Sequence, residues 1–178
     1  MASIKELVPY CRVYFAGSSE MFGDAKLSPQ SEQTSFNPRS VYGISKLAAF
    51  HLARNYRVHH QLFVAAGILY NHESTRRGYQ FVTRKISHAV AKIYLGLESY
   101  IELGNLDAQR DWGYAPDYVR AMHLMLQHDN PEDFVVATGK LHTVRDFLKK
   151  AFDVVGLDYQ LYTKTNMAHF RPGEAVPL

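Results

Sequence analysis

The apolar positions of this chain fall into short dense runs, separated by stretches in which they recur every three or four residues. Arg12 to Gly17, RVYFAG, and Leu62 to Tyr70, LFVAAGILY, are dense runs rich in β-branched and aromatic residues, the pattern of strands buried on both faces of a parallel sheet. Between them, Ser40 to His60 carries Leu47, Ala48, Phe50, Leu52 and Ala53 amid polar residues and without proline, which predicts a long helix. Strand, helix, strand in that order predicts a βαβ unit. Residues 2 to 8 have helical composition and Pro9 stops them. The polar stretch Ser18 to Arg39, with Pro29 and Pro38, predicts mostly loop.

Beyond the second run, after a polar loop NHESTRRG, Tyr79 to Leu95 places Phe81, Val82, Ile86, Val90 and Ile93 at helical spacing, an amphipathic helix. A short strand over Tyr100 to Leu103, a helix over Ala115 to Gln127, a strand over Asp133 to Ala137 and a helix over Val144 to Val155 follow. Thr143, with Asp146 three residues on, is the expected N-cap of the last helix. This alternation predicts an α/β fold.

Composition narrows the classes. Apolar residues at 47% and charged residues at 21% exclude a disordered or fibrous chain, and 178 residues suit one full domain rather than two. The formal charge of +3 is not gathered in one basic block, which argues against a nucleic-acid partner. Cys11, the single cysteine, has no internal disulfide partner, and its flanks Tyr10 and Val13 suggest a buried thiol at a strand edge. The first ten residues lack the basic start and apolar core of a secretory signal, and no apolar run reaches the roughly 18 residues of a membrane span, so the expectation is a cytoplasmic protein with no membrane partner. The histidines show no metal-ligand spacing with cysteine or carboxylates, and no metal is expected.

Candidate chemistry begins with Tyr42 and Lys46, four apart on one face of the predicted long helix. An ammonium beside a phenol favours the phenolate and turns a weak acid into a base. Taken alone, Y-x-x-x-K is common on surface helices. Ser18, Ser19 and Glu20 stand where a predicted strand ends, the place at which catalytic groups gather in α/β sheets, although such residues also serve simply to satisfy loop backbone.

The stretches FAGSSEMFG, NPRSVYGISK, GILYNHESTRRG, FVTRKIS, AKIYLG, LGNLDAQRDWGYAPDYV, EDFVVATG and FRPGE resemble, in order and spacing, the GDP-mannose 4,6-dehydratases, extended short-chain dehydrogenase/reductases of the epimerase/dehydratase superfamily. The resemblance implies a partial Rossmann-type doubly wound parallel sheet with part of a smaller C-terminal substrate-binding domain. Residues 1–70 would be the C-terminal part of the dinucleotide-binding domain with the catalytic residues, and 71–178 a substrate-binding region with segments returning to the sheet. It implies the conversion of GDP-mannose to its 4-keto-6-deoxy product with NADP as cofactor, by a lyase that is a homo-oligomer at full length.

By the same resemblance, Tyr42 is the base at the C4 hydroxyl, Lys46 activates it and bonds the nicotinamide ribose, and Ser18, where relatives have threonine, assists. Glu20 removes the C5 proton and helps water leave, a task that an epimerase does not need. His72 and Arg77 contact the cofactor, with Arg76 and Arg77 equally readable as a solvated basic pair. Asn71, Lys85, Arg110, Arg171 and Glu174 lie on the side of the substrate. Thr75 stands where relatives have proline. Trp112 and Tyr114 read as packing more readily than as guanine stacking.

The glycine-rich turn with which the family begins is absent from this sequence, and FRPGEAVPL reads as cut within a loop, so the expectation is a fragment with an open apolar sheet edge and two uncovered faces. Three alternatives stay open on these residues: a GDP-heptose dehydratase, another nucleotide-sugar epimerase or reductase, or a non-catalytic remnant that binds a GDP sugar.

Overall fold

The structure, a computed structural model, describes residues 1–170. In chain order its elements are α1 (Ala2–Leu7), β1 (Val13–Ala16), a 3-10 turn at Ser19–Met21, α2 (Val41–His60), β2 (Val64–Leu69), β3 (Asn71–Glu73), α3 (Val82–Tyr94), β4 (Ile101–Leu103), β5 (Gln109–Tyr114), α4 (Ala115–Gln127), β6 (Asp133–Val136), β7 (Leu141–Thr143), α5 (Val144–Asp153), α6 (Tyr159–Tyr162) and β8 (Thr163–Thr165), with a last 3-10 turn at Met167–His169. They gather into two compact units, Met1–His72 with Gly113–Gly139, and Glu73–Trp112 with the described part of Lys140–Pro177.

The first unit is built on a parallel sheet in the order β1-β2-β6. Val13 pairs with Val64 and Ala16 with Gly67, and on the other side of β2, Gly67 pairs with Phe134. All six residues of β2 are buried, as the continuous apolar run demands of a central strand. Val13, Phe15, Val64, Ala66 and Ile68 face α2, where they meet Phe50 and Ala53. The alternate residues, Tyr14, Ala65, Gly67 and Leu69, face the other way, where α4 packs on β1 and β2. Both faces of these strands therefore carry a helix, against the expectation of uncovered faces.

Polar contacts fix the ends of the helices. α2 ends at Gln61 in the left-handed conformation, φ 54°, and Asp133 at the head of β6 binds Arg57 at 2.8 Å and Arg54 at 3.5 Å. The Arg12 guanidinium donates to the carbonyls of Leu126 and His128 at 2.8 and 3.0 Å, where the last turn of α4 leaves them unpaired.

The second unit packs α3 against α5 over Ile86, Val90, Ile93, Leu148 and Phe152, the residues that carry the helical periodicity. β4 runs parallel to β8, and β5 antiparallel to β7. The cap expected at Thr143 is present in full, with the side chains of Thr143 and Asp146 each accepting the other's backbone N–H at 2.9 Å.

Three expectations need correcting. Cys11 is exposed, because β1 starts only at Val13 and the chain before it lies at the surface. The loop expected at NHESTRRG opens as strand β3, and the polar run at Gln109–Tyr114 is strand β5, whose ladder with β7 supplies what side-chain pattern does not. The helix expected from Tyr79 starts at Val82. Trp112 packs on Phe147 in the core of the second unit, with ring centres 5.6 Å apart. No helix among the described residues is long and apolar enough to cross a membrane.

Two predictions follow from the packing. Leu148 is fully buried, so Leu148→Ala should cost about 2–5 kcal/mol in urea unfolding, whereas Lys149→Ala on the exposed face should change it by less than about 0.5 kcal/mol. The Tyr14 hydroxyl lies over Gly67 without a partner among the described residues, and burial pushes its pKa up to about 12. An unfolded chain loses that proton near pH 10, so above it the unfolded state binds fewer protons than the native state. Stability should be intact below about pH 10 and fall between about 10 and 12, and Tyr14→Phe should remove this part of the fall when urea midpoints are compared at about pH 9 and 11.

Candidate active site

At the carboxyl end of β1 the chain turns through Ser18 into the 3-10 turn, and the Ser18 hydroxyl accepts the Glu20 N–H at 3.3 Å. α2 begins beside this turn. Its N-cap Ser40 accepts the Gly43 N–H at 2.9 Å and donates to the Glu20 carboxylate at 2.6 Å. Gly43 lies against the Glu20 backbone so closely that a Cβ there would come 2.6 Å from the Glu20 carbonyl oxygen. Any side chain would part helix and turn.

Further along the same helix, Lys46 reaches back to the strand and donates to the Ala16 carbonyl at 3.0 Å. Its ammonium lies 5.6 Å from the centre of the Tyr42 ring and 6.0 Å from that of Phe15. Tyr42 is 51% exposed, so its ring is open to a ligand. The structure thus brings Ser18, Glu20, Tyr42 and Lys46 together in the first unit. An ammonium has three donors; one is bound to Ala16, and the other two have no hydrogen-bond partner among the described residues.

Asn71 and His72 follow the end of the neighbouring strand β2. His72 Nδ1 is 2.9 Å from the Tyr70 carbonyl, which can only accept, so the proton of neutral His72 sits on Nδ1 and Nε2 is left as an acceptor. The ring stacks on Tyr118, with centres 4.8 Å apart.

The remaining expected residues belong to the second unit, each held by its own surroundings. Arg77 pairs through Nε with Glu73 at 3.2 Å and lies flat over Phe81, 3.5 Å from the ring centre. Thr83 donates to the same Glu73 oxygen at 2.6 Å. Arg77 is therefore not one of a solvated pair, whereas Arg76 is exposed. Lys85 donates to the Glu102 carbonyl at 2.7 Å, and Arg110 to the Gln109 carbonyl at 2.6 Å. Arg171 and Glu174 lie outside the described residues. Among those described, no group of three His, Cys, Asp or Glu side chains is placed to hold a metal ion.

Ser40, Gly43 and Glu73 escaped the reading of the sequence. Ser40 carried a signal, since a serine directly before a predicted helix is the ordinary N-cap. Its bond to Glu20, twenty residues away, carried none.

A family model described as GDP-mannose 4,6 dehydratase matches residues 1–176. The chain is 55% identical over 150 residues to the GDP-mannose 4,6 dehydratase of Homo sapiens, covering 84% of this chain and 40% of that protein. It is 53% identical over 163 residues to GDP-mannose 4,6 dehydratase 2 of Arabidopsis thaliana, covering 92% and 43%. The chain thus spans about two fifths of the length of the curated relatives it matches. Among solved structures, the fold is similar to RMD from Pseudomonas aeruginosa complexed with NADPH, with a TM-score of 0.81 and 22% identity over 86% of this chain and 53% of that one. It is similar also to UDP-N-acetylglucosamine 4-epimerase from Methanobrevibacter ruminantium in complex with UDP-N-acetylmuramic acid, with a TM-score of 0.79 and 25% identity over 91% and 51%.

The close approach at Gly43 gives a prediction of its own. Gly43→Ala should cost about 1–3 kcal/mol in urea unfolding and speed hydrogen exchange at the amides of Glu20 and position 43, because the first turn of α2 must move off the Glu20 backbone.

Proposed function

This chain belongs to the GDP-mannose 4,6-dehydratase family, and from that premise we propose that it carries the acid/base centre of a GDP-mannose 4,6-dehydratase. The observation that carries the reading is the convergence of Lys46, Tyr42 and Glu20 at the carboxyl end of β1. Lys46, His72 and Arg77 would hold the proposed carrier NADP, which would supply a hydride acceptor for sugar C4 and a hydride donor for C6.

The residues of the chain then divide the proton work. Tyr42 is the base that takes the proton of the C4 hydroxyl, and the ammonium of Lys46 stands 5.6 Å from the centre of its ring. Ser18 steadies the same hydroxyl. Glu20 takes the proton from C5 and passes it to the C6 hydroxyl as that group departs, which completes a molecule of water. The proton that Tyr42 took from the C4 hydroxyl balances the one that C5 regains when C6 receives its hydride, so a GDP sugar would enter and its 4-keto-6-deoxy form leave with one water lost.

The residues present suit one end of the carrier. The two remaining donors of Lys46 match the hydroxyls of a nicotinamide ribose, and His72, past the end of the neighbouring strand, keeps Nε2 as an acceptor. Arg77 is assigned to the carrier, and Asn71, Lys85, Arg110, Arg171 and Glu174 to the GDP sugar, where guanidinium and ammonium groups suit a diphosphate.

The test is made with GDP-mannose and NADP in the full chain. Glu20→Gln should lower formation of the 4-keto-6-deoxy product by about 10²- to 10⁴-fold while hydride uptake from C4 persists, and Tyr42→Phe should lower both. If Glu20→Gln leaves product formation unchanged, the centre is not a dehydratase.

A further inference from the structure

We propose that Ser40 is a positioning residue, whose hydroxyl holds the Glu20 carboxylate against the amino end of α2 and so sets the geometry of the elimination step. The inference rests on the function proposed above. The direction of the bond follows from chemistry. An ionised carboxylate only accepts, so the single proton of Ser40 goes to Glu20 Oε2, 2.6 Å away, and the lone pairs of the same oxygen receive the Gly43 N–H at 2.9 Å. That short separation is typical of a hydroxyl bonded to an anion.

Glu20 is then held along its whole length. Its N–H is bound by Ser18 at 3.3 Å, its carbonyl lies against Gly43, and its carboxylate is bound by Ser40. Two of these three points belong to α2, the helix that also carries Tyr42 and Lys46. The groups for oxidation and for elimination thus sit on one rigid piece, and Ser40 is the side chain that attaches the carboxylate to it.

The two steps need this attachment unequally. A sugar hydroxyl is a good hydrogen-bond donor, so the C4 hydroxyl can itself draw the Tyr42 oxygen into line. A C–H group at C5 is a poor donor and gives the Glu20 carboxylate almost no guidance, so its position has to be built in beforehand. Loss of the Ser40 donor should therefore harm elimination far more than oxidation.

The plainer account is that Ser40 merely caps α2, and two substitutions separate the roles. Ser40→Gly keeps most of an N-cap's effect but has no donor, whereas Ser40→Thr keeps both functions. In the full chain with GDP-mannose and NADP, hydride uptake is read from nicotinamide absorbance and elimination from release of deuterium at C5 to the solvent. Ser40→Gly should slow elimination by about 10- to 100-fold and hydride uptake by less than about threefold, and Ser40→Thr should restore elimination to within a few-fold. Equal slowing of both steps, or unchanged elimination in Ser40→Gly, overturns the proposal.

Should the parent chain not dehydrate GDP-mannose at all, the proposed function fails and the role of Ser40 is decided without turnover. Side-chain NMR couplings of Glu20 should then report one rotamer in the parent and in Ser40→Thr, and averaged rotamers in Ser40→Gly. Couplings that stay the same in Ser40→Gly overturn the role for Ser40.

Discussion

The first turn of α2 crosses the backbone of Glu20 at a distance that only glycine permits, and the arrangement of the site depends on this crossing. It follows from ordinary packing. Two parallel strands cannot be joined by a tight hairpin, so the chain between β1 and β2 must return over the face of the sheet, and α2 makes the return. Phe50 and Ala53 pin the helix to Phe15, Val64 and Ala66, which fixes its height above the strands. With that height set, the amino end of α2 has to pass the turn that follows β1. The apolar contacts thus determine where Tyr42 and Lys46 stand relative to Ser18 and Glu20, although none of those four side chains belongs to the core.

The basic residues of the second unit are organised on a different principle. Arg77 is flattened on Phe81 and tied through Nε to Glu73, and Lys85 is anchored on a carbonyl of β4. A long cation free in solvent loses roughly 2 kcal/mol of rotamer freedom when it is immobilised by a ligand. For Arg77 that loss has occurred on folding, and the stack and the Glu73 pair use the guanidinium face and Nε but not the two terminal nitrogens. Such a guanidinium is suited to receive an anion along its outer edge. Thr83, bonded to the same Glu73 oxygen, steadies the carboxylate that aligns the fork.

What could be read from the sequence follows the division between apolar pattern and polar geometry. The runs RVYFAG and LFVAAGILY became β1 and β2, and the helices at Ser40–His60, Ala115–Gln127 and Val144–Val155 were placed to within two residues, because each buries a periodic apolar face. Strands β3, β5 and β7 were not visible. Gln109, Arg110 and Asp111 owe their extended form to pairing with residues about thirty positions further on, and Asp111 is buried despite its charge. Cys11 misled for a related reason, since its apolar neighbours suggested burial while the strand begins two residues later. The spacing of Tyr42 and Lys46 was legible because a helix makes it so, but the bond that unites Glu20 with Ser40 spans a twenty-residue gap that no local pattern encodes.

That gap is filled by a loop fastened to the sheet at several points. Asp24 and Asn37 bond across its neck at 3.0 Å, beside the Arg39–Asp24 ion pair at 3.1 Å. Further out, Gln30 accepts the hydroxyl of Tyr70 just past β2, and the Glu32 carboxylate accepts the N–H of Val135 on β6 at 2.6 Å. β6 is an edge strand in the order β1-β2-β6, and an edge strand presents unpaired N–H groups on which another chain could template. A carboxylate on such a group blocks that pairing with a charge and satisfies the donor at once. The same bond ties the loop to the strand, so a device that protects the sheet edge also limits how far the segment between Glu20 and Ser40 can move. The order of the candidate site is therefore coupled to the integrity of the far edge of the sheet, through a loop that contributes no catalytic group itself.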